Sequence, residues 1–174
     1  MTWKVDPTHS SIEFRGKHML VATVKGQFRE WDMEAEIDED DIAASQGIVR
    51  IGAASVDTGF AQRDDHLRSP DFFNAEEHPA IVFKTKRIER KRGDEYRIAG
   101  DLTIRDVTRE VTFEGEINGP MKDPWGGTRI GFSAETAISR KDWGLGWNVA
   151  LEAGGILVGD TIKLSIDAEF VKAA

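Results

Sequence analysis

The chain has 174 residues, 40% of them apolar and 31% charged, which suits one folded domain and excludes a disordered or fibrous chain. Its net charge of -8 argues against a nucleic-acid backbone as partner, and the absence of cysteine rules out disulfides, thiolate chemistry and Cys-ligated zinc. No apolar run reaches the roughly eighteen residues that a membrane-spanning helix needs.

Met1 leads straight into the strand-like Trp3-Lys4-Val5 with no basic and apolar leader, which predicts a cytoplasmic protein. Beyond it the dominant signal is alternation with period two. Ile12, Phe14, Gly16 and His18 share one face, against Ser11, Glu13, Arg15 and Lys17 on the other. Ala22, Val24, Gly26 and Phe28 follow, then Met33, Ala35 and Ile37. The segment Thr58–Asn74 breaks the pattern. Gln62, Asp64 and Asp65 predict the opening of a short helix there, with Leu67 inward and Pro70 ending it. A second single turn is expected over Pro70–Asn74, the whole forming a cap over one barrel mouth.

Alternation resumes at Ile81 and Phe83. The basic run Lys84–Arg92 alternates around Ile88 and reads as a solvated strand face. Ile98, Gly100, Leu102 and Ile104 form the next run, then Val111, Phe113, Gly115 and Ile117, then Ile130, Phe132, Ala134 and Ile138. Arg140–Gly155 is rich in Gly and Trp and predicts a lid containing Trp143 and Trp147. Ile162, Leu164, Ile166, Ala168 and Phe170 close the series. Turn signals at Arg92-Gly93-Asp94, Asn118-Gly119-Pro120 and Gly159-Asp160 separate about eight runs. One wet and one apolar face per strand means antiparallel pairing, in a sandwich or a barrel.

Four stretches carry a family resemblance. The opening WKVDPTHSSIEFRGKHMLVATVKGQF, the cap DTGFAQRDDHLRSPDFF, GDLTIRDVTREVTF and the tail RKDWGLGWNVALEAGGILVGDTIKLSIDAEF resemble, in order, the YceI-like proteins. Asp106 stands where that family usually has Gly. It falls in a turn, and Asp tolerates the left-handed conformation better than most residues. The resemblance implies an all-β fold, an eight-stranded antiparallel lipocalin-like barrel with a short helical cap. It also implies a polyisoprenoid, quinone-tail or fatty-acid ligand, bound rather than transformed, with no cofactor.

The residues bear on that implication directly. An eight-stranded barrel is either filled by side chains or holds one small ligand. Gly16, Gly26, Ala35, Gly100, Gly115, Ala134 and Ala168 on the inward face predict room inside. Phe14, Phe28, Phe83, Leu102, Phe113 and Phe132 would line the walls, with Leu67, Phe72 and Phe73 sealing the cap. A tail of ~16 carbons offers ~12 kcal/mol at about 0.8 kcal/mol per CH₂. With association costs of about 5 kcal/mol, the low end of a range that reaches roughly 10, about 7 kcal/mol remains, which approaches micromolar binding, and longer tails would bind more tightly if they fit. For a polar head, Arg63, Asp64 and His66 in the cap and His18 at the strand end are candidates. Arg63 suits phosphate because its guanidinium forks onto anionic oxygens. The competing reading pairs Arg63 with Asp64 or Asp65 as a structural clamp, and makes His18 an ordinary core histidine. His78, before Pro79, reads as a turn residue.

Catalytic motifs are missing from the sequence. A lipid-modifying enzyme with His18 or His66 as base remains the alternative, the closest dyad being His66 with Asp64 or Asp65. A His9–His18–His66 metal site is a weaker one. An outer-membrane barrel fits poorly with a single tyrosine and dense charge on the polar faces. Strand edges or the Trp-rich lid predict, at most, a homodimer.

Overall fold

The alternating segments become strands, each with an antiparallel partner. A computed structural model describes residues 3–19, 21–148 and 158–173. Its strands are β1 (Trp3–Val5), β2 (Ser11–His18), β3 (Ala22–Phe28), β4 (Trp31–Glu36), β5 (Gln46–Gly52), β6 (Val56–Asp57), β7 (Ala80–Arg92), β8 (Glu95–Ile104), β9 (Val107–Lys122), β10 (Thr128–Ser139) and β11 (Val158–Lys172). One helix, α1 (Ala61–Arg68), interrupts them between β6 and β7.

The hydrogen-bonded order is β4-β5-β7-β8-β9-β10-β11-β2-β3-β6, and β1 pairs with the end of β11. This curled sheet makes the barrel. Its ladder stays open between β4 and β6, and the corner where β3 bends into β4 bridges the gap. There Gly52 N–H donates to Glu30 O (2.9 Å) and Arg29 N–H to Ser55 O (3.2 Å). At the other end β1 packs beside β4.

The all-β barrel and its cap agree with expectation, but the strand number does not: eleven are present among the described residues instead of about eight. β1 and β6 span three and two residues, too few to show a period. β5 was missed because Ile48, Val49 and Ile51 do not alternate, and Ile48 and Val49 are both half-buried. Two predicted turns are also corrected. Asn118-Gly119-Pro120 lies inside β9, and Gly159-Asp160 lies inside β11. Each sits beside a register shift, between Arg129 and Gly131 and between Val158 and Ile162. Such bulges use the same residues that turns do. The turn after β9 is instead built on Asp123, whose carboxylate accepts from the N–H groups of Trp125 (2.9 Å) and Gly127 (2.8 Å).

The β8–β9 turn confirms the reading of Asp106. Arg105 and Asp106 have φ of 52° and 64°, the paired left-handed geometry of a tight hairpin. The basic run falls on β7, where Ile88 is buried while Lys86 and Arg87 both reach Glu110. Helix α1 ends before Pro70 as expected, but Pro70–Asn74 forms hydrogen-bonded turns, not a second helix.

The inward glycines are corrected most sharply. A Cβ on Gly26 would lie 2.3 Å from the Phe14 ring, and one on Gly100 would lie 2.7 Å from the Phe83 ring and 2.4 Å from Lys84 O. At Gly115 it would strike the Ser133 carbonyl at 1.9 Å. Phenylalanine rings and close backbone approach fill these positions, so they leave no free space.

Candidate functional site

At the capped end the barrel is hollow. A chamber of about 540 Å³ opens beneath α1, within the range for binding a small ligand. Strands β2, β3 and β11 supply Phe14, Gly16, His18, Val24, Phe28, Ile162 and Leu164 to its wall. Strands β7 to β10 supply Phe83, Leu102, Phe113 and Ile138. From above, Arg63, His66, Leu67, Phe72, Phe73 and Trp147 close over it. Phe14, Gly16, Val24, Ile138, Ile162 and Leu164 face inward yet are only half-buried, because each borders this chamber.

Two predicted site residues lie elsewhere. Phe132 packs edge-to-face on Phe170 (5.7 Å between centroids) and borders a separate void of about 100 Å³. Ala35, Ala134 and Ala168, read as making room for ligand, line that small void too. The edge-to-face pair Phe83–Phe113 (5.0 Å) borders both spaces and divides them. Asp64 is buried in the cap and does not face the chamber: it accepts from Thr58 N–H (2.9 Å) and from the Thr58 hydroxyl (2.6 Å). This ties the loop before α1 to the first helical turn, where a carboxylate also meets the positive end of the helix.

Arg63 forms no ion pair with Asp64 or Asp65, so the clamp reading is corrected. Its Nε donates to Thr58 Oγ1 (2.7 Å), another guanidinium nitrogen donates to Thr58 O (3.0 Å), and the group lies over the Phe60 ring at 5.8 Å. Asp65 pairs with Arg68 instead (2.7 Å). Arg63 is exposed at the rim with no acidic partner among the described residues. His18 is likewise an exposed rim residue at the end of β2, not a core histidine. His66 contacts Asp71 through Nε2 (2.9 Å), and its ring stands edge-on to Trp147 (4.5 Å) and Phe72 (5.1 Å). That dyad partner was not the one expected.

Other arginines hold the cap in place. Arg68 donates to Ala54 O (2.8 Å), and Arg105, at the β8–β9 tip, donates to Phe72 O (2.9 Å). The sequence reading missed Arg140, which is 3% exposed. It donates to the carbonyls of Gly159 (2.9 Å), Trp147 (2.9 Å), Val158 (3.1 Å) and Leu145. Burial lowers its pKa, and Asp160 opposes that shift. Its signal was present in principle, as an arginine where an alternating strand meets a Gly- and Trp-rich segment.

The two tryptophans read as lid residues separate. Trp147 covers the chamber, whereas Trp143 is buried core and donates Nε1–H to Leu102 O (2.9 Å). The rest of the expected lid, residues 149–155, lies outside the described residues.

The three histidines do not meet. His9 precedes β2 and His18 ends it, so the strand holds them roughly 25 Å apart at about 3.3 Å per residue. His9 belongs to a network at the other end, with Asp6 (3.0 Å) and Glu169 (3.2 Å). It is the one metal-capable cluster among the described residues. Arg129 already bridges its carboxylates, at 3.0 Å to Asp6 and 2.9 Å to Glu169. His78 meets Asp106 (3.3 Å) and braces the β8–β9 turn.

Residues 3–170 match the family model described as the YceI-like domain. The UPF0312 protein of Staphylococcus epidermidis is 39% identical over 166 residues, 95% of this chain and 94% of that protein. The Campylobacter jejuni YceI protein superposes with a TM-score of 0.78 at 30% identity, covering 91% of this chain and 90% of its own. A polyisoprenoid binding domain from Saccharophagus degradans, implicated in plant cell wall breakdown, shares the fold at a TM-score of 0.72 and 13% identity, over 100% of this chain and 99% of that one.

Proposed function

The chain belongs to the YceI-like family, and on that premise we propose that its chamber holds one lipid by a long apolar tail, with the polar head at the rim. The observation that carries this reading is the hollow beneath the cap. A run of inward apolar side chains stays half-buried because part of the surface of each borders this space. Leaving apolar surface uncovered forgoes about 25 cal/mol per Å² of stabilisation. An apolar occupant recovers that term, and water does not. A fold relative described as a polyisoprenoid binding domain agrees with this choice of ligand class.

The head-group role falls to Arg63, with His18 and His66 beside it. Arg63 holds its guanidinium at the rim through the Thr58 hydroxyl and carbonyl, leaving the remaining N–H donors for an anionic oxygen. Phe14, Phe28, Leu67, Phe72, Phe73, Phe83, Leu102 and Phe113 are proposed to contact the tail. The ligand is carried or sequestered unchanged. Mass spectrometry of organic extracts from protein purified without detergent tests this. The expected result is a long-tailed lipid near one per chain, and an extract holding no lipid would overturn the reading.

A further inference from the structure

Charge is sorted along the barrel axis on the outer face of β2, β3, β10 and β11. Strand register places Glu135, Ser165, Glu13 and Gln27 in one row across these strands. The next row toward the chamber mouth is Lys163, Arg15 and Lys25. These like charges stand directly opposite one another, an arrangement that destabilises a sheet, and none of them has an ion-pair partner among the described residues. Lys17 comes next, and beyond it lies the β2–β3 tip. From Phe14 to Phe28 the chain holds basic residues and no acidic one, in a protein whose net charge is -8. Near the mouth, Asp65 pairs with Arg68, Asp71 with His66 and Asp160 with Lys141.

The tip itself is apolar. Hairpin turns favour Gly, Asn, Asp and Ser, yet this one carries Met19 and Val21. Met19 takes a φ of 54°, which its side chain disfavours, and is 44% exposed, while Val21 is 83% exposed. Phe60, 59% exposed, stands at the same mouth and lines the chamber. The other exposed apolar pair, Met121 and Trp125, lies at the β9–β10 tip, at the opposite end of β10 from the chamber-lining Ile138, with Lys122 and Asp123 balanced beside it.

We propose that the capped end docks on an anionic lipid bilayer, inserting Met19 and Val21 with Phe60 while the Lys163–Arg15–Lys25 row and Lys17 face the head groups. The chamber then opens onto the surface from which its ligand comes. Apolar insertion combined with basic attraction is how peripheral proteins hold a membrane surface. The inference rests on the lipid-binding reading, and its test separates the two.

The test measures partitioning onto phosphatidylcholine vesicles with and without phosphatidylglycerol, at low and high salt. In parallel, it measures uptake of a fluorescent long-chain lipid delivered from dilute ethanol, with no vesicle present. The parent should bind the anionic vesicles, lose them in high salt, and ignore the neutral ones. Met19→Asp with Val21→Asp should lower partitioning at least about tenfold. Lys25→Gln with Lys163→Gln should lower it by about 25-fold, since each basic residue near an anionic surface contributes about fivefold. Both double variants should take up lipid from ethanol as the parent does, and Trp125→Glu should change neither measurement. Equal partitioning of the parent and the Asp variant, or equal binding to neutral and anionic vesicles, overturns the docking proposal while uptake from ethanol leaves the lipid reading intact. Vesicle binding with no uptake from ethanol retains the docking and overturns the lipid reading.

Discussion

At the far end of the barrel, Ile130 is 1% exposed and Phe170 is 5% exposed, packed with Ile117, Ala168 and Trp3. At the capped end, Phe14, Ile138 and Leu164 sit on the same strands with the same alternation and remain half-buried. The polar closures differ as well. The far end is clasped by Arg129, which joins Asp6, Asp123 and Glu169 across the ends of several strands. The capped end is held by arginines that donate to backbone carbonyls, while Arg63 keeps part of its guanidinium for the rim. The difference teaches that one sheet can be a packed core along half its length and enclose a hollow along the other half. Side-chain size sets the boundary, at the Phe83–Phe113 pair.

The comparison breaks most visibly if both ends respond alike to truncation. Ile130→Ala, in the packed half, should cost roughly 2–5 kcal/mol of stability by leaving a cavity, read as a drop in the denaturation midpoint. The folded fraction should still bind lipid with the parent's affinity. A weakened affinity would mean that the two halves are not separate.

Next in size is Arg63→Ala at the rim. It should weaken an anionic long-chain lipid by about 1.5–3 kcal/mol, the range for hydrogen bonds to charged groups. A neutral lipid with the same tail should be nearly unaffected, and so should the melting temperature. Titrating the matched pair checks this, and equal loss for both lipids would remove Arg63 from the head-group site.

Gly100→Ala sharpens the boundary. Its new methyl meets Lys84 O and the Phe83 ring, so it should cost about 1–3 kcal/mol by overpacking. A variant as stable as the parent would show that the Phe83 ring has room to move.

The smallest effect is one of pH, at the far end. Asp6 raises the pKa of His9 above 6.5, chiefly through their hydrogen bond. A raised histidine contributes stability fully below its unfolded value, and loses it as pH rises through the raised one. The parent's melting temperature should therefore fall slightly from pH 6 toward pH 8, and His9→Asn should abolish that component. Asp6 is held well below the ordinary carboxylate range by Thr8, His9 and Arg129. Its contribution is present above 3.8 and is lost only in strong acid. Melting curves of both proteins across this pH range give the comparison.

Much of this was legible in the chain. Alternation located the long strands, and parity put Phe14, Phe28, Phe83, Leu102 and Phe113 inside. Broken alternation identified the cap with Leu67, Phe72 and Phe73. What stayed hidden was anything decided between strands. Gly26 and Gly100 looked like empty space because the rings covering them come from neighbouring strands. Phe132 shares its parity with Phe14 but lies on the packed side of the Phe83–Phe113 divider, and a period of two says nothing about depth along the axis. Arg63 and Asp64 are adjacent in sequence, yet they meet only through the Thr58 hydroxyl. Arg140 finds its partners in carbonyls, which carry no side-chain signature.

The central claim is that the hollow under the cap is where the lipid tail lies. Ile162 lines that hollow without belonging to the packed core, so Ile162→Trp should fill the space and spare the fold. Binding of a fluorescent long-chain lipid to parent and variant, with melting temperatures measured alongside, tests the claim most directly. The account predicts one ligand per parent chain at micromolar affinity or better, at least about a tenfold loss in the variant, and similar melting temperatures. A stable Ile162→Trp protein that binds as tightly as the parent would contradict it.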